Sequence, residues 1–93
     1  MLKINHATRN NKEKDVNKLY NMLKGKFDFT GLFLQLSGED KEQYNSGIDN
    51  YKMIFTDSKR TRIIYVEMNF SYFAFCNLYE NGKEIIKLQF IEL

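Results

Sequence analysis

The chain has 93 residues, 43% of them hydrophobic, 28% charged and 15% aromatic, with one cysteine, no proline and a formal net charge of +2. Such a composition describes one folded domain with a modest core, and excludes a disordered chain, which is poor in aromatics and buries too little apolar surface. A single thiol, Cys76, excludes an intramolecular disulfide framework and fits a reducing compartment.

The amino-terminal MLKINHATRNNKEK has no hydrophobic block of signal-peptide type, and no apolar run approaches the roughly 18 residues that cross a bilayer. The expectation is a soluble protein of the cytoplasm that makes no membrane contact. Charge is unevenly placed. Up to Lys26 seven basic residues stand against Glu13 and Asp15, a balance of +5, whereas the remainder carries seven basic and ten acidic residues, a balance of −3. Residues 1–26 form a basic head, and residues 30–93 a β-rich, acidic body of the same single domain, 1–93.

Val16, Leu19, Tyr20 and Leu23 recur at helical spacing and predict an amphipathic helix over Asn11 to Lys24. Asn10 is placed to cap it, Glu13 to complete a capping box, and Gly25 to end it in a left-handed conformation. LFLQLS, Leu32 to Ser37, reads as a strand, and SGEDKEQYNSG as a loop or one short helical turn. From Tyr51 the chain alternates as strands: YKMIFT, then TRIIYVEM, then YFAFCNLY and KEIIKLQFI.

Asn81-Gly82 predicts a type I′ hairpin turn, since both central positions need positive φ. An unbroken ladder from that turn sets Glu80 opposite Lys83, Leu78 opposite Ile85, Cys76 opposite Lys87, Ala74 opposite Gln89 and Tyr72 opposite Ile91. Phe73, Phe75 and Asn77 then share the other face with Phe90, Leu88 and Ile86. A turn centred on Ser58-Lys59 similarly pairs Met53 with Ile64 and Tyr51 with Val66, leaving Ile54 opposite Ile63 and Lys52 opposite Tyr65 on the reverse.

The fold class that follows is α+β: one N-terminal amphipathic helix packed on a four- to five-stranded antiparallel sheet built mainly of C-terminal hairpins. One helix covers one face, expected to carry Met53, Ile64, Val66, Phe73, Phe75, Leu88 and Phe90. The reverse would present Ile54, Ile63, Tyr65, Tyr72, Ala74, Cys76, Leu78, Ile85 and Ile91, broken only by Lys52, Glu80, Lys87 and Gln89. A patch beyond roughly 300–600 Å² marks an interface unless something covers it. Met1 to Ile4, where Leu2 and Ile4 alternate, and the Glu39 to Asn50 connection are the segments that could do so.

Catalytic equipment is thin. His6 is the one histidine and has no sequence neighbour to orient it. Cys76 sits mid-strand among apolar residues, where a buried, inert thiol is expected rather than a nucleophile. There is no zinc spacing, phosphate loop or nucleophile elbow, and Glu39, Asp40 and Glu42 lack the alternating oxygens of a calcium loop. The expectation is a non-enzyme with no metal or other cofactor.

Binding remains. The expected partner-binding residues are Lys52, Ile54, Ile63, Tyr65, Tyr72 and Lys87 on the sheet, Lys14 and Lys18 on the helix, and Lys59, Arg60 and Arg62 at a hairpin tip. In size, lack of catalytic residues, charge asymmetry and uncovered sheet, the chain resembles in kind the small phage or plasmid products that inhibit host enzymes, anti-CRISPR proteins among them. No motif carries that resemblance. It implies steric binding to a host protein or nucleoprotein in the host cytoplasm. The alternatives are a homodimer joined face to face, and a nucleic-acid-binding accessory protein using the basic helix or the aromatic sheet face. The RNP signature of RNA-binding sheets is missing.

Overall fold

The computed structural model describes residues 12–39, 50–69 and 74–92. They form one helix, α1 (Lys12–Lys24), and five strands: β1 (Phe33–Glu39), β2 (Asn50–Thr56), β3 (Ile63–Asn69), β4 (Ala74–Glu80) and β5 (Lys83–Ile91). The strands lie in chain order, β1-β2-β3-β4-β5, each antiparallel to the next. This is the α+β arrangement expected, with the N-terminal helix on an antiparallel sheet. Asn10, His6, Tyr72, Phe73, Leu2, Ile4 and the connection after Glu39 lie outside the described residues.

Helix α1 buries Val16, Leu19 and Leu23 completely, the stripe that its 3.6-residue period aligns. They meet Tyr51, Met53, Phe55, Ile64, Val66, Met68, Cys76 and Leu78 from β2, β3 and β4. A 13-residue helix is about 20 Å long and about 10 Å wide, while five strands span about 19 Å between the outermost backbones, so the helix covers only part of one face. Phe27, Phe29 and Leu32, just beyond the helix, pack on the rest. Phe29 stands 5.0 Å from the rings of both Phe27 and Phe55, and Tyr20 stacks on Phe55 at 6.0 Å. The helix ends differently from expectation: Gly25 is not left-handed, and the Leu23 carbonyl accepts from both the Lys26 and Phe27 N–H groups.

Two registers depart from the sequence reading, with different consequences. In the β2–β3 hairpin Met53 pairs with Val66 and Thr56 with Ile63, two residues from the expected alignment. A shift of two keeps every side chain on its face, so Met53, Ile64 and Val66 are buried as expected. Asp57 sets the wider loop: its carboxylate accepts the Thr61 and Arg62 N–H groups at 2.8 and 3.0 Å, while Arg60 takes a left-handed φ of 56°.

In the β4–β5 hairpin the Asn81-Gly82 turn is as expected, with φ of 50° and 83° and Glu80 opposite Lys83. Beyond it the ladder is bulged. Tyr79 faces Glu84 but Leu78 faces Ile86, leaving Ile85 as an extra residue. A second irregularity lies between Cys76↔Leu88 and Ala74↔Ile91, where Phe90 has a φ of 56°. The reason is in the pattern: Cys76, Leu78, Ile86 and Leu88 are all even-numbered, and an unbroken two-residue turn pairs even with odd. Only an inserted residue lets all four face the core. Hence Ala74, Cys76 and Leu78 are buried, not on the reverse face, and Ile91 packs against the core. Phe90, expected inside, is 78% exposed, and Phe75, also expected inside, faces outward and is half-buried.

Candidate functional site

With β4 reversed, the sheet face away from α1 becomes legible as rows running across the strands. At one end Phe33, Thr56 and Ile63 are neighbours. The next row is Leu36, Ile54, Tyr65 and Tyr79, and the one after it is Gly38, Lys52, Glu67, Asn77 and Lys87. Antiparallel neighbours on one face stand about 4.5–5.5 Å apart, so each row is a continuous strip. Phe33, Leu36 and Ile63 are 58%, 49% and 50% exposed, whereas Ile54 and Tyr65 are half-buried.

The central row is partly self-satisfied. Glu67 Oε1 accepts from Tyr79 Oη at 2.8 Å and Asn77 Nδ2 at 3.1 Å. Glu67 raises the Tyr79 phenol to about 12, chiefly through that hydrogen bond and then through burial. Turning its amide nitrogen to Glu67 leaves the buried Asn77 Oδ1 with no partner among the described residues. Tyr65 and Tyr79 have ring centroids 6.0 Å apart, tilted by 45°. The strip offers apolar and aromatic surface at its β1–β3 end and a lysine–carboxylate–amide–lysine row beyond it.

The structure brings together five of the expected binding residues, Lys52, Ile54, Ile63, Tyr65 and Lys87, on this one face. Tyr72 lies outside the described residues. Lys59 and Arg60 are exposed at the loop that follows Thr56, next to the Phe33–Ile63 row. Lys14 and Lys18 are exposed on the helix, a different surface. Arg62 is not a free cation: Nε and Nη2 donate to Glu80 Oε2 and Oε1 at 2.9 and 3.0 Å, and its guanidinium lies 5.9 Å from the Phe27 ring centre. The same pair holds the Glu80 carboxyl below the ordinary range. Phe33, Leu36, Glu67, Asn77 and Tyr79 were not among the expected site residues. Leu36 and Phe33 are readable as apolar positions of a strand, but its place at the sheet edge is not, and placing Asn77 and Tyr79 requires the bulge.

Cys76 faces the core, where burial, and secondarily the charge of Glu67, push its thiol up to about 12. That is the opposite of nucleophile activation. Among the described residues no group of three or more His, Cys, Asp or Glu side chains is placed to hold a metal ion, and no helix is long and apolar enough to cross a membrane. Compared with known proteins, the chain matches no family model, no curated protein and no solved structure.

Proposed function

We propose that the chain is a non-catalytic binding protein that docks on another protein through the β1–β3 end of its outer sheet face, and acts by covering the surface it occupies. The observation that carries this reading is the contiguous set of exposed apolar side chains, Phe33, Leu36 and Ile63, adjoining half-buried Ile54 and Tyr65. Large apolar side chains left wet in a small domain forgo burial worth roughly 1.5–3 kcal/mol each, and such patches are where partners anchor. Lys59 and Arg60 on one side and Lys52 and Lys87 on the other favour a partner with an acidic rim around an apolar anchor. A steric inhibitor of a host enzyme, the role of the small phage products the chain resembles in kind, is the form of this function that needs no chemistry of its own.

The same face serves nucleic acid less well. Glu67 stands between Lys52 and Asn77 and next to Tyr65, so a phosphate tracking the lysines meets a carboxylate in the middle of the row. Arg62 is already committed to Glu80.

The test is affinity capture with the wild-type chain, Ile63→Asp and Tyr65→Asp, with and without nuclease. A protein retained after nuclease and weakened at least about 30-fold by either substitution supports the reading. Retention that nuclease abolishes, or that both folded variants leave unchanged, overturns it.

A further inference from the structure

Among the described residues the sheet has two edge strands, β1 and β5, and they differ in character. The β5 edge carries Lys83, Glu84 and Lys87 and two bulges, with Phe90 forced to positive φ. These are the devices that keep an exposed edge from pairing with another strand. Strand β1, FLQLSGE, has no lysine, arginine or proline, and no charge before Glu39 at its end. Its one irregularity is the extra residue at Gln35, between Leu34↔Phe55 and Leu36↔Ile54.

Strand β1 is also apolar toward both sides of the sheet. Phe33 and Leu36 pair with Thr56 and Ile54 on the outer face, while Leu34 pairs with buried Phe55 on the core face, and all three are exposed. A strand added beside β1 therefore needs apolar side chains on both faces and no charge over about five residues. Among the described strands, β1 itself meets that requirement, whereas β5 presents its charges.

We propose that β1 pairs with β1 of a second copy about a two-fold axis, joining two five-stranded sheets into one continuous sheet of ten strands. Antiparallel self-pairing centred on Leu36 sets Leu36 against its own copy on the outer face. The two Glu39 positions then fall about 20 Å apart along the ladder, beyond the screening length of about 8 Å at physiological salt, so the only charge of the strand does not oppose the pairing. A two-fold contact of this kind is closed, and the guarded β5 edges at either end stop further growth. It differs from a face-to-face dimer in leaving Ile63 and Tyr65 uncovered.

Sedimentation velocity on the full chain tests it, over protein concentrations spanning the micromolar to near-millimolar range. The wild type should pass from 11.1 kDa to twice that mass as concentration rises. Leu36→Lys sets two ammonium groups together at the axis and should raise the dimer dissociation constant on the order of 100-fold, with an unchanged circular dichroism spectrum. Ile85→Lys, on the other edge, should leave the dimer as it is. Amide exchange on the wild type needs no variant: Phe33 to Glu39 should gain protection on concentration, and β5 should not. A chain that stays at 11.1 kDa throughout, a dimer that Leu36→Lys spares or Ile85→Lys breaks, or protection gained on β5 alone overturns the proposal.

Discussion

The bulged β4–β5 register makes a claim that two alanine substitutions separate. Leu78 is completely buried, and truncating it removes three carbons from a packed core that relaxes only partly, at a cost of about 3 kcal/mol within the 2–5 kcal/mol range for such changes. Phe90 is the larger side chain but is 78% exposed, so Phe90→Ala should cost less than about 1 kcal/mol. An unbroken ladder would reverse the order, burying Phe90 and exposing Leu78. Urea unfolding followed by far-ultraviolet circular dichroism reads the difference. With a slope of about 1.5 kcal/mol/M, Leu78→Ala should lower the midpoint by about 2 M and Phe90→Ala by less than about 0.7 M. Equal losses, or a larger loss for Phe90→Ala, would refute the bulge and the assignment of faces that rests on it.

Three further outcomes follow from local geometry. Asn81 holds a left-handed φ, and its side chain links the turn to the start of β3 by accepting from the Ile63 N–H at 2.8 Å and donating to the Thr61 carbonyl at 3.3 Å; Asn81→Ala should therefore cost about 1–2 kcal/mol in the same unfolding assay. The Asp57 and Glu80 carboxyls lie below their ordinary values, Asp57 through hydrogen bonds from Thr61 and Arg62, and Glu80 through Arg62. Depressed folded values mean that their stabilisation is complete above the unfolded range near pH 4 and is lost as pH falls below it, so Asp57→Asn should flatten the acid limb of a stability–pH curve while leaving its shape near neutrality unaltered. Cys76, with its thiol near 12, should react with iodoacetamide at pH 8 on the order of a thousand-fold more slowly when folded than in urea.

How far the sequence reaches is visible in particular residues. The helix is legible because four apolar positions recur at one helical period, and its described extent, Lys12–Lys24, ends at the expected residue, with Asn11 outside the described residues. Met53, Ile64 and Val66 reach the core face in either alignment of the β2–β3 hairpin, because a shift of two residues preserves the face. Strand β4 turns the opposite set of side chains to the core from that expected, because a shift of one does not. The hairpin signal at Asn81-Gly82 fixes the first pairs and says nothing about an insertion two pairs further on. The sign of the bulge was nonetheless present, since the apolar residues of the two strands have the same parity and cannot share a face without it. In sequence Arg62 reads as one more cation of the tip, because Glu80 is 18 residues away and comes beside it only once β3 and β4 pair.

Site-specific photo-crosslinking in producing cells tests most directly the proposed docking of another protein on the outer face at Phe33, Leu36 and Ile63. A photoreactive residue at position 63 should give a discrete, nuclease-resistant protein adduct, while the same residue at position 18 on the helix should give none. Adducts formed from position 18 and absent from position 63, or adducts from position 63 that nuclease removes, would contradict it.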